Sequence, residues 1–134
     1  MPKHDFKVVQ YSQNLSYKDV ELVDVVSIDD SLIIYISDSL SWLKGGWNSL
    51  KEKKNGLNYY GVTFFYDDEI KLFKSILSSW ISLFENAPDE LSLKSDLYPD
   101  ESIKKKLLLD KLNSIVELCN KALEENKVLV HYGI

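Results

Sequence analysis

Arginine is missing from this chain: all sixteen basic residues are lysine, set against twenty-one aspartates and glutamates for a net charge of -5. Arginine supplies most bidentate contacts to phosphates and base edges, so its absence argues against sequence-specific nucleic-acid recognition. Cysteine is nearly missing too. Cys119 alone cannot close an internal disulfide, which suits a reducing compartment. No apolar run approaches the roughly 20 residues that span a bilayer, and no basic leader precedes an apolar core at the N-terminus, so a soluble, cytoplasmic protein is expected. The two histidines, His4 and His131, lack a ligand-spaced Cys or second His, so neither metal nor cofactor is expected. There is no Gly-x-Ser-x-Gly elbow and no phosphate loop; Gly45-Gly46 has neither the spacing nor the Lys-Ser/Thr that follows.

What is present bounds the fold. The 134 residues are one domain's worth of chain, and 45% hydrophobic with 28% charged residues can build one core. "FKVVQ" at 6–10 reads as a first strand. Residues 20–36 read as two antiparallel strands, with Asp29-Asp30 as the hairpin turn between β-branched runs. In 37–56, Leu43, Trp47 and Leu50 stand at i, i+4, i+7 behind a cap at Ser37, Asp38 or Ser39, the pattern of a helix weakened by Gly45-Gly46, with Asn55-Gly56 as a helix stop or a turn. "LNYYGVTFFY" at 57–66 is aromatic and β-branched throughout and reads as a central strand.

The clearest helix follows Asp67-Asp68, with Ile70, Phe73, Leu77, Trp80 and Phe84 at three- and four-residue spacing. "ELSLKSDLY" at 90–98 reads as an edge strand. Pro99-Asp100-Glu101 opens a last helix carrying Ile103, Leu108, Leu112, Ile115, Cys119 and Ala122, which stops at Asn126. The terminal apolar run Val128–Tyr132 persists at a chain end only if buried, so it is expected to close a sheet near its middle. The expectation is a single α+β domain over 1–134: an antiparallel or mixed sheet of about five strands with two or three helices packed on it.

Chemistry is sparser. His4 reads as part of a loose terminus. His131 suits either a general base or, by preference, a ring packed in the sheet with one nitrogen on a backbone carbonyl; no catalytic partner can be named for it. Cys119 falls on an apolar helix face and reads as an inert buried thiol. The acid pairs Asp67-Asp68, Asp89-Glu90 and Asp100-Glu101 suit turns and helix starts.

One stretch is denser in acid than turns and helix starts require: Asp19, Glu21, Asp24, Asp29, Asp30 and Asp38 fall within twenty residues that hold no lysine. Such a run makes either a docking surface for a basic protein or a charged edge that discourages sheet-to-sheet pairing. Trp42 and Trp47 flank the Gly-Gly step, and each is either an aromatic anchor beside the acids or part of the core.

The run "NYYGVTFFYDDEIKLFKSILSSWISLF", then "ENAP", then a chain end "HYGI", resembles small bacterial immunity proteins paired with the toxins of contact-dependent growth inhibition systems. The likeness covers roughly residues 55–134 and leaves out the acidic stretch. It implies a cytoplasmic, acidic, non-enzymatic protein that binds a cognate toxin domain tightly, often a basic nuclease, and no catalytic residue carries over. Assigning the toxin-binding face to Asp19, Glu21, Asp24, Asp29, Asp30, Asp38, Trp42 and Trp47 follows from charge and, for the two tryptophans, from their place as aromatics near the acids. Two alternatives stand beside it: an adaptor or oligomeric scaffold, and a small hydrolase using His131.

Overall fold

A computed structural model describes residues 2–134. The chain opens with strand β1 (Lys3–Val9), a 3-10 turn (Tyr17–Asp19) and strand β2 (Val26–Asp29). Two short helices follow, α1 (Asp30–Tyr35) and α2 (Ser37–Leu40), then strands β3 (Lys44–Trp47), β4 (Lys53–Asn55) and β5 (Val62–Phe65). The long helix α3 (Asp68–Phe84) leads to β6 (Glu90–Ser92) and β7 (Ser102–Lys104), and the chain ends in α4 (Lys105–Glu124) and β8 (Val128–Tyr132).

The main sheet has six strands in the order β2-β1-β8-β5-β3-β4, every pairing antiparallel; β6 and β7 form a separate two-stranded sheet. The fold is therefore α+β, and the closing strand lies inside the sheet as expected. Val128, Leu129 and Val130 have no solvent exposure at all, which is why an apolar run is stable at the chain end.

Alternation across the strands divides the core in two. Phe6, Leu129 and Phe65 point to the side covered by α3 and α4, where they meet Phe73, Leu77, Leu108, Leu112 and Ile115. Val62, Phe64, Val128 and Val130 point to the other side, closed by Leu15 and Leu50. Helix α3 forms where its spacing places it: Ile70, Phe73, Leu77 and Phe84 are buried on one stripe, each contributing about 1.5–3 kcal/mol. Helix α4 buries Leu108, Leu112, Ile115, Cys119 and Ala122, and Asn126, at φ 54°, turns the chain back toward β8.

Three expectations are corrected. The hairpin over 20–36 is one short strand, β2, followed by α1; Asp29 ends the strand just before the helix rather than turning a hairpin, because Leu32 and Ile33 reach the core from a helical backbone. The helix expected within 37–56 is only α2, and Gly45-Gly46 belongs to β3. A Cβ on Gly46 would lie 2.1 Å from the Ser49 carbonyl oxygen, and one on Gly45 would lie 2.8 Å from the Phe65 ring, so the close strand packing needs glycine at both places. The last helix begins at Lys105, not Pro99, since Ser102–Lys104, Ile103 included, pairs with β6 first.

Candidate functional site

Two regions concentrate chemistry. The first is inside. His131 stands opposite Thr63 on β5 and opposite Phe6 on β1, and His4, two residues before Phe6, shares their face of the sheet. That register brings His4 Nδ1 to 2.8 Å from His131 Nε2, while His4 Nε2 is 2.8 Å from Asp30 Oδ1. The other carboxylate oxygen, Oδ2, accepts the Tyr59 hydroxyl at 2.6 Å and the Tyr98 hydroxyl at 2.5 Å. His131 Nδ1 is 3.2 Å from Thr63 Oγ1, which accepts the Asn58 backbone N–H at 2.8 Å. His4, His131, Thr63 and Asp30 are all fully buried.

Proton positions follow from the donor inventory. An ionised Asp30 only accepts, so His4 carries its proton on Nε2; a neutral His4 then accepts at Nδ1 from His131 Nε2–H, and His131 Nδ1 accepts from Thr63. Every donor along the chain points toward Asp30. Burial would raise the Asp30 pKa, but bonds from Tyr59, Tyr98 and His4 outweigh it and hold the carboxyl below its usual range. Burial lowers His4 against the pull of Asp30, and holds His131 well below the ordinary imidazole value, reinforced by His4. The Tyr98 hydroxyl, bonded to Asp30, is pushed up to about 12, and burial with the same carboxylate raises Tyr59. Cys119 is buried and its thiol is pushed up to about 12 by desolvation, as an inert core cysteine should be.

His4 is thus a buried member of β1 rather than part of a loose end, and the partners of His131 are side chains, not a backbone carbonyl. Both nitrogens of His131 are engaged and its ring has no solvent access.

The second region is outside. Of the residues assigned to partner binding, Asp30 is corrected outright: it is 0% exposed and is the anchor of the internal network. Asp29 is half-buried and lies 3.6 Å from Lys3, and Asp19 accepts the Ser16 backbone N–H at 2.9 Å, closing a local turn. Trp47 is half-buried, donating to the Gly56 carbonyl with Lys54 over its ring. Glu21, Asp24 and Asp38 remain exposed with no ion pair among the described residues. Trp42 is 68% exposed. The acidic stretch is therefore not one face: three of its six members are engaged within the fold.

Sequence reasoning missed the groove that Trp42 borders. It runs between α2 and α3, encloses about 420 Å³, and is lined by Ser39, Trp42, Leu72, Ser75, Ile76, Ser79, Trp80 and Leu83. Trp80 and Leu83 also border a second hollow with Tyr35, Phe84, Pro88 and Leu91, so the apolar surface continues around the end of α3. The signal was available: between Phe73 and Phe84 the only charged residue is Lys74, and four serines share the helix with the apolar residues.

Among the described residues, no group of three or more His, Cys, Asp or Glu side chains is arranged to hold a metal ion, and no helix is long and apolar enough to cross a membrane. No family model, curated protein or solved structure matches the chain.

Proposed function

We propose that this protein is an immunity protein that binds and neutralises a cognate toxin domain of basic charge, a nuclease being the class that best fits an acidic inhibitor. The observation that carries the reading is Trp42, a largely exposed aromatic four residues from the exposed, unpaired Asp38. Exposed tryptophan costs solubility, and a rigid aromatic beside a charge is the pairing that dominates protein interfaces. Net charge of -5 without arginine supports the same reading. A nuclease carries a basic groove to hold phosphates, so an acidic surface is steered toward it and its encounter rate rises at low salt. An inhibitor without arginine also has little means of competing for the nucleic acid. Action in the cytoplasm belongs to this proposal, and the buried free thiol of Cys119 is compatible with it.

A second reading, an adaptor or self-associating scaffold, is favoured by the apolar groove itself, since uncovered apolar surface also marks contacts between like chains. The test is a pull-down of the tagged protein against the product of the adjacent upstream reading frame, followed by calorimetry at two salt concentrations. Nanomolar binding that weakens with salt is expected. No binding, with self-association in its place, would replace the toxin-binding reading with the scaffold.

A further inference from the structure

Leu72, Ser75, Ser79 and Leu83 follow one another along α3 at spacings of three and four, so they form one stripe on its outer side. Trp42, carried in just beyond α2, closes the opposite wall. An exposed helix face ordinarily alternates such leucines with lysine or glutamate. Here serines stand between them, and a serine hydroxyl costs far less to desolvate than an ammonium or a carboxylate. The stripe is soluble as it stands and inexpensive to cover.

The floor of the groove is fixed in the free protein. The Trp80 indole N–H donates to Ser39 Oγ at 2.7 Å, and that hydroxyl donates to the Ile36 carbonyl at 2.8 Å, tying α3 to α2. The Trp80 ring stacks on Phe84 with centroids 5.4 Å apart. A floor already ordered lowers the entropy cost of binding. Trp42 differs: its indole N–H has no acceptor among the described residues.

Charge indicates what kind of occupant fits. No charged side chain lines the groove, and the unpaired charges adjoining it in sequence are Asp38, next to Ser39 and four residues before Trp42, and Lys74, next to Ser75. Lys74 turns away, about 160° around the helix from Leu72, and Lys71, one turn before Ser75, is held by Asp67 and Asp68.

We propose that this groove is the seat of the basic partner: a partner segment inserts an apolar side chain between Trp42 and the Leu72–Leu83 stripe and sets a lysine or arginine on Asp38. The proposal rests on the toxin-binding reading, and it moves the centre of the interface from the loop acids Glu21 and Asp24 to the α2–α3 face. Glu21 and Asp24 then act at long range, on the rate of encounter.

The test titrates the product of the adjacent upstream reading frame into the wild-type chain, into Trp42→Ala, into Leu83→Ser, and into a Glu21→Lys/Asp24→Lys double variant. Trp42 and Leu83 are 68% and 59% exposed, so both single variants keep the fold, which circular dichroism verifies. Each groove variant is expected to weaken the dissociation constant by about thirtyfold or more, and the loop variant by about threefold, mostly through slower association. Wild-type binding that Trp42→Ala and Leu83→Ser leave unchanged would overturn the groove while sparing the toxin-binding reading. No wild-type binding would overturn both. Sedimentation equilibrium of the chain alone reports the other occupant: a dimer that Trp42→Ala dissolves would mean the groove seats a second copy, against the proposal.

Discussion

The polar cluster around Asp30 and the apolar groove beside Trp42 invert the usual arrangement of a small protein. The one holds two histidines and a carboxylate where no solvent reaches them; the other leaves tryptophan and leucine uncovered. In the cluster every polar atom has a partner, and no buried side-chain nitrogen or oxygen among the described residues lacks a hydrogen bond. In the groove Trp42, Leu72 and Leu83 are left uncovered. Satisfied polar groups specify a unique packing, whereas uncovered apolar area is available for binding. The cluster that looks like chemistry therefore holds the fold, and the surface that looks like misplaced core is where we propose that the partner binds.

The largest expected effect falls on the cluster. Replacing Asp30 by Ala removes the acceptor of Tyr59, Tyr98 and His4 together, leaving three donors without a partner where the carboxylate stood, and should cost about 3–5 kcal/mol in urea denaturation. A loss below about 1 kcal/mol would show that water or a rearrangement replaces the carboxylate easily.

Acid should act on the same groups. His4 and His131 have folded-state pKa values below the unfolded value of 6.5, so below that pH the unfolded chain binds more protons. Their contribution is complete above pH 6.5 and is lost as pH falls from there through the folded values, at up to about 1.4 kcal/mol per pH unit for each histidine. Asp30, also lowered, adds its own loss only below its unfolded value of 3.8. Stability measured from pH 7.5 to 4.5 should fall steadily, and His4→Gln should flatten the slope. A flat wild-type profile would mean that the imidazoles titrate as freely inside as outside.

Much of this is legible in the sequence, and the failures have physical causes. Helix α3 is readable because an apolar stripe sustained over seventeen residues at helical spacing fits no strand, and β8 because an apolar run at a chain end is stable only when covered. Helix α1 is not readable, because six residues are too few to display a helical period, and its Ile33 and Ile34 look like strand. Gly45-Gly46 suggests a weakened helix, whereas the physical need for paired glycines here is a backbone in close approach. The histidine pair joins residues 127 positions apart, so it exists only once β1 and β8 are neighbours. Of the expected contact residues, Trp42 lines the groove and Asp38 stands next to it in the chain; Asp30 belongs to the interior instead, because charge alone does not reveal burial.

Two smaller effects sharpen the contrast. Tyr98→Phe removes one bond to a buried carboxylate and keeps the ring, so about 1.5–3 kcal/mol should be lost, with faster amide exchange in the 93–101 loop; a change within about 0.5 kcal/mol would make that bond dispensable. Trp42→Ala should leave stability within about 0.5 kcal/mol of wild type, because the ring is mostly in water; a larger loss would return Trp42 to the core.

The decisive measurement compares two variants side by side: the partner domain titrated by calorimetry into Tyr98→Phe and into Trp42→Ala. Tyr98→Phe, less stable but folded, is expected to bind as the wild type does, while Trp42→Ala, as stable as the wild type, is expected to bind about thirtyfold or more weakly. The reverse outcome, binding lost with Tyr98 and kept without Trp42, would place function at the buried network and contradict the account.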